Sequence, residues 1–285
     1  MKKIITLLVF GCAVLSTRAV DVSETLYINR GEFVASDGNA FAYMAFNRTQ
    51  NFAKENAIIE VGVDDNLELK IINNDTIVHG FNVKNYIGVD SEIQPGDSIT
   101  VTCSFSSESV FVYYDSYNYP NNVYMGLSGM IVVSDNSFSK FYWNIKEHQQ
   151  TYNDTIAKGY SVDWQSYYPD YFTINGESAP NINIDTKARV TGSVNETIYL
   201  YITNTGQSIH SMHFHGYHLE IMYSSKYTAH VGRSKDTFPI HSLEGLVLKL
   251  VPDKTGEYPV HDHNLVTVSG GGIYPMGMFI TMLIQ

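Results

Sequence analysis

Near the end of this 285-residue chain stand two histidine pairs, His213 and His215 in IHSMHFHGYH, and His261 and His263 in YPVHDHN. Residues two apart in a strand point to the same face, so each H-x-H pair aims two imidazoles at one spot. Neutral imidazole is a ligand for copper, zinc and iron, and four such nitrogens could assemble a metal site. The same four could instead be satisfied as a polar network without metal. Asp262, the residue between the second pair, must point the other way, toward a second pocket. His148, His218, His230 and His241 have no partner at informative spacing and read as core or surface residues. Cys103, in SITVTCSFS, reads as a small buried hydrophobe rather than a metal thiolate.

The elements that must position these histidines are strands. Tyr, Phe, Val, Ile and Thr are abundant, Gly, Asn and Asp mark turns, and long helical patterns are few. AIIEVGVDDNLELKIINND alternates around an Asp-Asp-Asn turn, and SITVTCSFS, SVFVYYDS and GLSGMIVVS follow as further strands. A second series runs from DYFTINGESAP through TIYLYITNTG, SMHFHGYHLEIM, EGLVLKLVPD and GEYPVHDHN to GMFITMLIQ. NNDTIVHGFNV in the first half compares with TNTGQSIHSMHFHGYHL in the second, and MGLSGMIVV with PMGMFITMLI. This weak repeat is what a duplicated sandwich would leave. The tyrosines around Tyr113, Tyr114, Tyr117 and Tyr119 read as sandwich packing.

Residues 1–19 combine a Lys-Lys start, a short apolar run and a small-residue end, which reads as a secretory signal and predicts a secreted or periplasmic protein. No other stretch is long enough to span a bilayer. Loss of Lys2, Lys3 and Arg18 leaves 15 basic residues against 29 acidic, a balance of −14. Such a surface excludes nucleic acid and anionic membranes as expected partners. With one mature cysteine no disulfide is expected. The organisation read from these signals is a signal peptide at 1–19, an N-terminal domain at 20–145, a linker at 146–169 and a C-terminal domain at 170–285.

The second half resembles the C-terminal cupredoxin domain of multicopper oxidases. FTINGESAP resembles that family's strand-opening signature, HSMHFHG its H-P-x-H-L-H-G segment, and VHDHNLVTVSGGGIYPMGM its H-C-H-x-x-x-H…G-M segment. The first half resembles the family's N-terminal domain more faintly, through TIVHGF and YYDSYNYPNNVYMGLSGMIVV. Two domains rather than three point to the small, laccase-like members. The resemblance implies an all-β chain of two cupredoxin-like Greek-key β-sandwich domains, copper as cofactor, and a homotrimer with the histidine site between subunits.

In the family, a type 1 copper held by Cys, two His and a weak axial Met takes electrons from substrate, and a trinuclear cluster on eight histidines reduces dioxygen. The resemblance places His210 at the first type 1 histidine, Asp262 at the cysteine, Thr267 at the second histidine and Met278 at the axial methionine, given a longer preceding loop. A His and carboxylate set does not reproduce thiolate chemistry. The electron-entry site is therefore expected to be lost, with a His210–Asp262 hydrogen bond filling its pocket. Of the trinuclear ligands, His213, His215, His261 and His263 match. His79 matches the second histidine of H-W-H-G, while Ile77 stands at the first, and Tyr114 and Ser116 fall where H-S-H would be. Five imidazoles imply one or two ions, copper or alternatively zinc, and not three. The expected function is an exported copper-binding protein without laccase activity. The alternatives are a copper oxidoreductase acting on phenols, dioxygen or nitrite through the histidine cluster alone, and a metal-free structural or interaction module. The small-molecule or redox partner is left open.

Overall fold

The computed structural model describes residues 19–86 and 92–285. The segment read as a signal peptide lies outside the described residues, apart from Ala19. The chain folds all-β, as expected, into two successive sandwiches. In the first, Asp21–Val34 pairs antiparallel with Ala40–Asn47 and parallel with Asn66–Asn73, which Ser98–Cys103 extends into a four-stranded sheet. Facing it are Ile58–Val61, Ser128–Val133, Ser109–Tyr114 and Asn82–Val83, in that order. Strand Asn66–Asn73 shows why the sequence folds this way: Leu67, Leu69 and Ile71 are fully buried while the alternate Glu68 and Lys70 face water.

The second sandwich repeats the plan. Ser139–His148 pairs antiparallel with Tyr171–Ile174 and parallel with Ile198–Asn204, which pairs in turn with Glu244–Leu250. The opposite five-stranded sheet runs Thr191–Gly192, Phe279–Ile284, Gly256–Asp262, His210–Phe214, Thr237–Ile240. Each pairing of the first domain has its counterpart of the same sense in the second, so the faint sequence repeat is a structural duplication.

The linker expected at 146–169 is corrected by these pairings, and with it the end of the first domain. Ser139–His148 is a central strand of the second domain's sheet, and Gln150–Ala157 forms a helix packed on Ala40–Asn47. The polar look of KEH at 146–148 concealed the strand, because all three residues are buried. The alternating burial that marks a strand is absent where both faces are covered.

The two sandwiches meet through a small shared core in which Ile58, Val110 and Val132 pack against Tyr142, Tyr199 and Tyr201. Lys146 also crosses this boundary. It is 3% exposed, and its Nζ donates to Gly126 O and Ser128 Oγ of the first domain, each at 2.8 Å, beneath the Tyr43 ring. Burial pushes its ammonium down to about 7, offset only in part by Glu147. The unfolded chain therefore keeps this proton to higher pH than the folded one, and folding stability gains from Lys146 as pH rises from about 7 toward 10.5. Denaturant unfolding at pH 7 and pH 9 should show Lys146→Met losing stability relative to the wild type as pH rises, because the variant lacks this contribution while the other titrating groups are shared. An equal change with pH in the variant would assign the effect to other groups.

Candidate metal centre

The four histidines of the two H-x-H pairs come together on neighbouring strands. His213 lies directly opposite His261 in the ladder between His210–Phe214 and Gly256–Asp262. Ring centroids of His213 lie 4.7 Å from His215, 5.7 Å from His261 and 5.5 Å from His263, and those of His215 and His261 are 5.1 Å apart. His213 and His261 are half-buried, while His215 and His263 face solvent, so the cluster has one open side.

Hydrogen bonds fix which nitrogens are free. His261 Nδ1 is 2.8 Å from the Asp262 carbonyl, which can only accept, so Nδ1 carries the proton and Nε2 keeps its lone pair. That Nε2 accepts a hydrogen bond from Nε2–H of His215 at 3.0 Å, a proton that a shared ion would replace. Two nitrogens about 2.0–2.1 Å from one ion at a right angle would be about 2.9 Å apart, so this spacing suits a shared metal. Burial, then His213 and His261, holds the His215 imidazole below its usual range, which favours the neutral, ligating form. Among the described residues no three His, Cys, Asp or Glu side chains are closed around a single point as a finished metal site. Four imidazoles are a donor set of the type that copper and zinc take.

Behind the cluster, the pocket that Asp262 faces is filled by charge. His210 Nδ1 lies 2.7 Å from Asp262 Oδ2, the contact expected from the sequence, and His210 Nε2 lies 2.9 Å from Glu147 Oε2. Asp262 Oδ1 accepts from Ser211 N and Asn264 N, and Glu147 Oε1 from Gln207 N and Ser208 N. All three side chains are at most 1% exposed. Burial alone would lower the His210 pKa, but Asp262 and Glu147 outweigh it and raise it to about 9; Glu147 is held down to about 2 against the same burial, chiefly by His210. Space for Glu147 exists because the turn opposite carries Gly206, where an added Cβ would lie 1.7 Å from Oε2. Thr267 spends its hydroxyl on Asn264 O, and Met278 is buried in the apolar core. Cys103 is buried in the other domain, its thiol pushed up to about 11 by desolvation.

The placement of His79 among the metal ligands is corrected. His79 is fully buried, with Nδ1 2.6 Å from Asp115 Oδ2 and Nε2 3.0 Å from Asp75 Oδ2, so neither nitrogen is open to a metal. The duplication explains the error. Asn73 braces one turn through Ile77 O and Ile93 O, as Asn204 braces the other through Ser208 O and Ile240 O. His79 therefore corresponds to His210 and Asp115 to Asp262. Asn82 pairs with Tyr114 where His213 pairs with His261. The first-domain counterparts of the four histidines are Asn82, Lys84, Tyr114 and Ser116, so the retained set is four and not five. The carboxylate on the far side of the imidazole differs in origin: in the second domain it is Glu147 of the strand, in the first Asp75 of the turn, held by Arg30 at 2.7 Å. In sequence His79-Gly80 fits the end of H-x-H-G, whereas the shared spacing of Asn73 to His79 and Asn204 to His210 marks the register that the fold adopts.

Paired Greek-key sandwiches with a histidine cluster on one sheet define a two-domain cupredoxin protein. Residues 149–279 match the family model described as multicopper oxidase. Among solved structures, the blue copper oxidase from Nitrosomonas europaea is 19% identical, with 93% of this chain and 86% of that one covered at a TM-score of 0.79. The multicopper oxidase mgLAC is 17% identical, covering 93% and 87% at 0.78. The copper nitrite reductase from Nitrosomonas europaea is 16% identical, covering 93% and 94% at 0.74. At these identities the likeness is one of fold. No curated protein sequence matches the chain.

Proposed function

We propose that this protein is an exported copper-binding protein in which His213, His215, His261 and His263 hold one or two ions and no type 1 copper forms. The observation that carries the reading is the pair of facing Nε2 atoms on His215 and His261, 3.0 Å apart, with the His261 tautomer already fixed by Asp262 O. Copper is preferred to zinc because the family and the fold relatives are named for it. When bound, the ion supplies a one-electron redox centre. The chain's own residues hold the His215 imidazole below its usual range and fix the His261 tautomer, while the His210, Asp262 and Glu147 lock denies a second metal its pocket. We extend the proposal to a homotrimer that covers the open side of the cluster. Leu265 and Val266, two and three residues beyond His263, and Ile273 and Tyr274 are between 47% and 66% exposed, apolar surface that a neighbouring subunit would bury.

The test is elemental analysis and the visible spectrum after copper reconstitution. One to two coppers per chain with almost no absorption near ~600 nm is expected, because that band requires a thiolate donor. Protein that retains no copper overturns the metal reading, and an intense blue colour overturns the loss of the type 1 site.

A further inference from the structure

Thr237 lies opposite His213 in the ladder between His210–Phe214 and Thr237–Ile240. Its Oγ1 is 2.9 Å from His213 Nδ1 and 3.1 Å from Asp236 Oδ1. A threonine hydroxyl has one proton, and an ionised carboxylate can only accept. The proton therefore goes to Asp236, and the oxygen is left to accept from Nδ1–H of His213. That assigns the tautomer: Nδ1 of His213 is protonated and Nε2 carries the lone pair. The two half-buried histidines of the cluster are thus oriented by different means, His261 by a peptide carbonyl and His213 by a hydroxyl backed by a carboxylate. The Thr237 hydroxyl holds the Asp236 carboxyl below its usual range, consistent with an ionised acceptor.

We propose that Thr237 and Asp236 are positioning residues for the metal centre, which together set the tautomer of His213 and raise its basicity as a ligand. The inference rests on the copper reading above for its affinity consequence, but the tautomer assignment stands independently of it. Hydrogen-bond partners behind a ligating histidine fix ring orientation and make the ligand more basic, and their loss lowers metal affinity by about 10- to 100-fold.

The experiment has two arms on the full chain, with Thr237→Val, Thr237→Ser and Asp236→Asn. In metal-free protein, long-range nitrogen–proton NMR of the His213 ring should report the Nδ1–H tautomer in the wild type and in Thr237→Ser, and a mixture in Thr237→Val. In the second arm, cupric ion is titrated calorimetrically against a competing chelator. Affinity should fall by about 10- to 100-fold in Thr237→Val, fall less in Asp236→Asn and recover in Thr237→Ser. An unchanged tautomer with unchanged affinity in Thr237→Val overturns the proposal. A wild type that takes up no copper defeats the metal reading instead, and the NMR arm then still decides the tautomer.

Discussion

Replacing His261 and His263 together by alanine should reduce bound copper to background. The change removes half of the imidazole set, including the His261 Nε2 that faces His215 at 3.0 Å. Two remaining imidazoles on one strand, at least one of them open to water, cannot exclude solvent from an ion or complete its geometry. Neither ring is buried, so the variant should fold, and circular dichroism with elemental analysis on one sample separates loss of metal from loss of structure. His79→Ala is the informative contrast. Its imidazole is locked between Asp75 and Asp115 in the other domain, so copper content should persist while stability falls. Equal copper in His261→Ala/His263→Ala and wild type would refute the assignment of the cluster, and copper lost with His79→Ala would refute the corrected register.

The second large effect concerns the lock behind the cluster. Glu147→Ala should destabilise the fold by about 3–5 kcal/mol, because it leaves the fully buried Nε2–H of the His210 imidazolium without its charged acceptor. Gln207 N and Ser208 N lose their acceptor in the same change. The wild-type pH profile carries a matching signature. His210 is raised from 6.5 to about 9, so its contribution is complete below about 6.5 and is lost as pH rises through 9. Glu147 is lowered from 4.5 to about 2, so its contribution is complete above about 4.5 and is lost as pH falls through 2. Urea unfolding near pH 6 should show the full penalty, and the variant's curve should be flatter toward pH 9. A cost below about 1 kcal/mol would mean that the pair behaves as an exposed ion pair, not a buried one.

Much of the chemistry was written in local pattern. Period-two spacing put His213 with His215 and His261 with His263, and placed Asp262 on the opposite face, because a strand's side chains alternate whatever surrounds it. Composition and turn spacing gave two all-β sandwiches. What local pattern could not supply was register between distant segments. His79 read as a ligand because His-Gly occurs at the end of the family's motif, whereas the ladder pairing Asn82 with Tyr114 puts it at the place of His210. Glu147 was hidden in what looked like a polar linker, since nothing in KEH announces that three ionisable residues are buried. Only the packed structure shows that Glu147 meets His210 at 2.9 Å and that Thr237 meets His213 at the same distance. The sequence determined which residues share a strand face, because that follows from covalent geometry; the tertiary structure decided which of them have a partner, because burial and cross-strand contact depend on segments far apart in the chain.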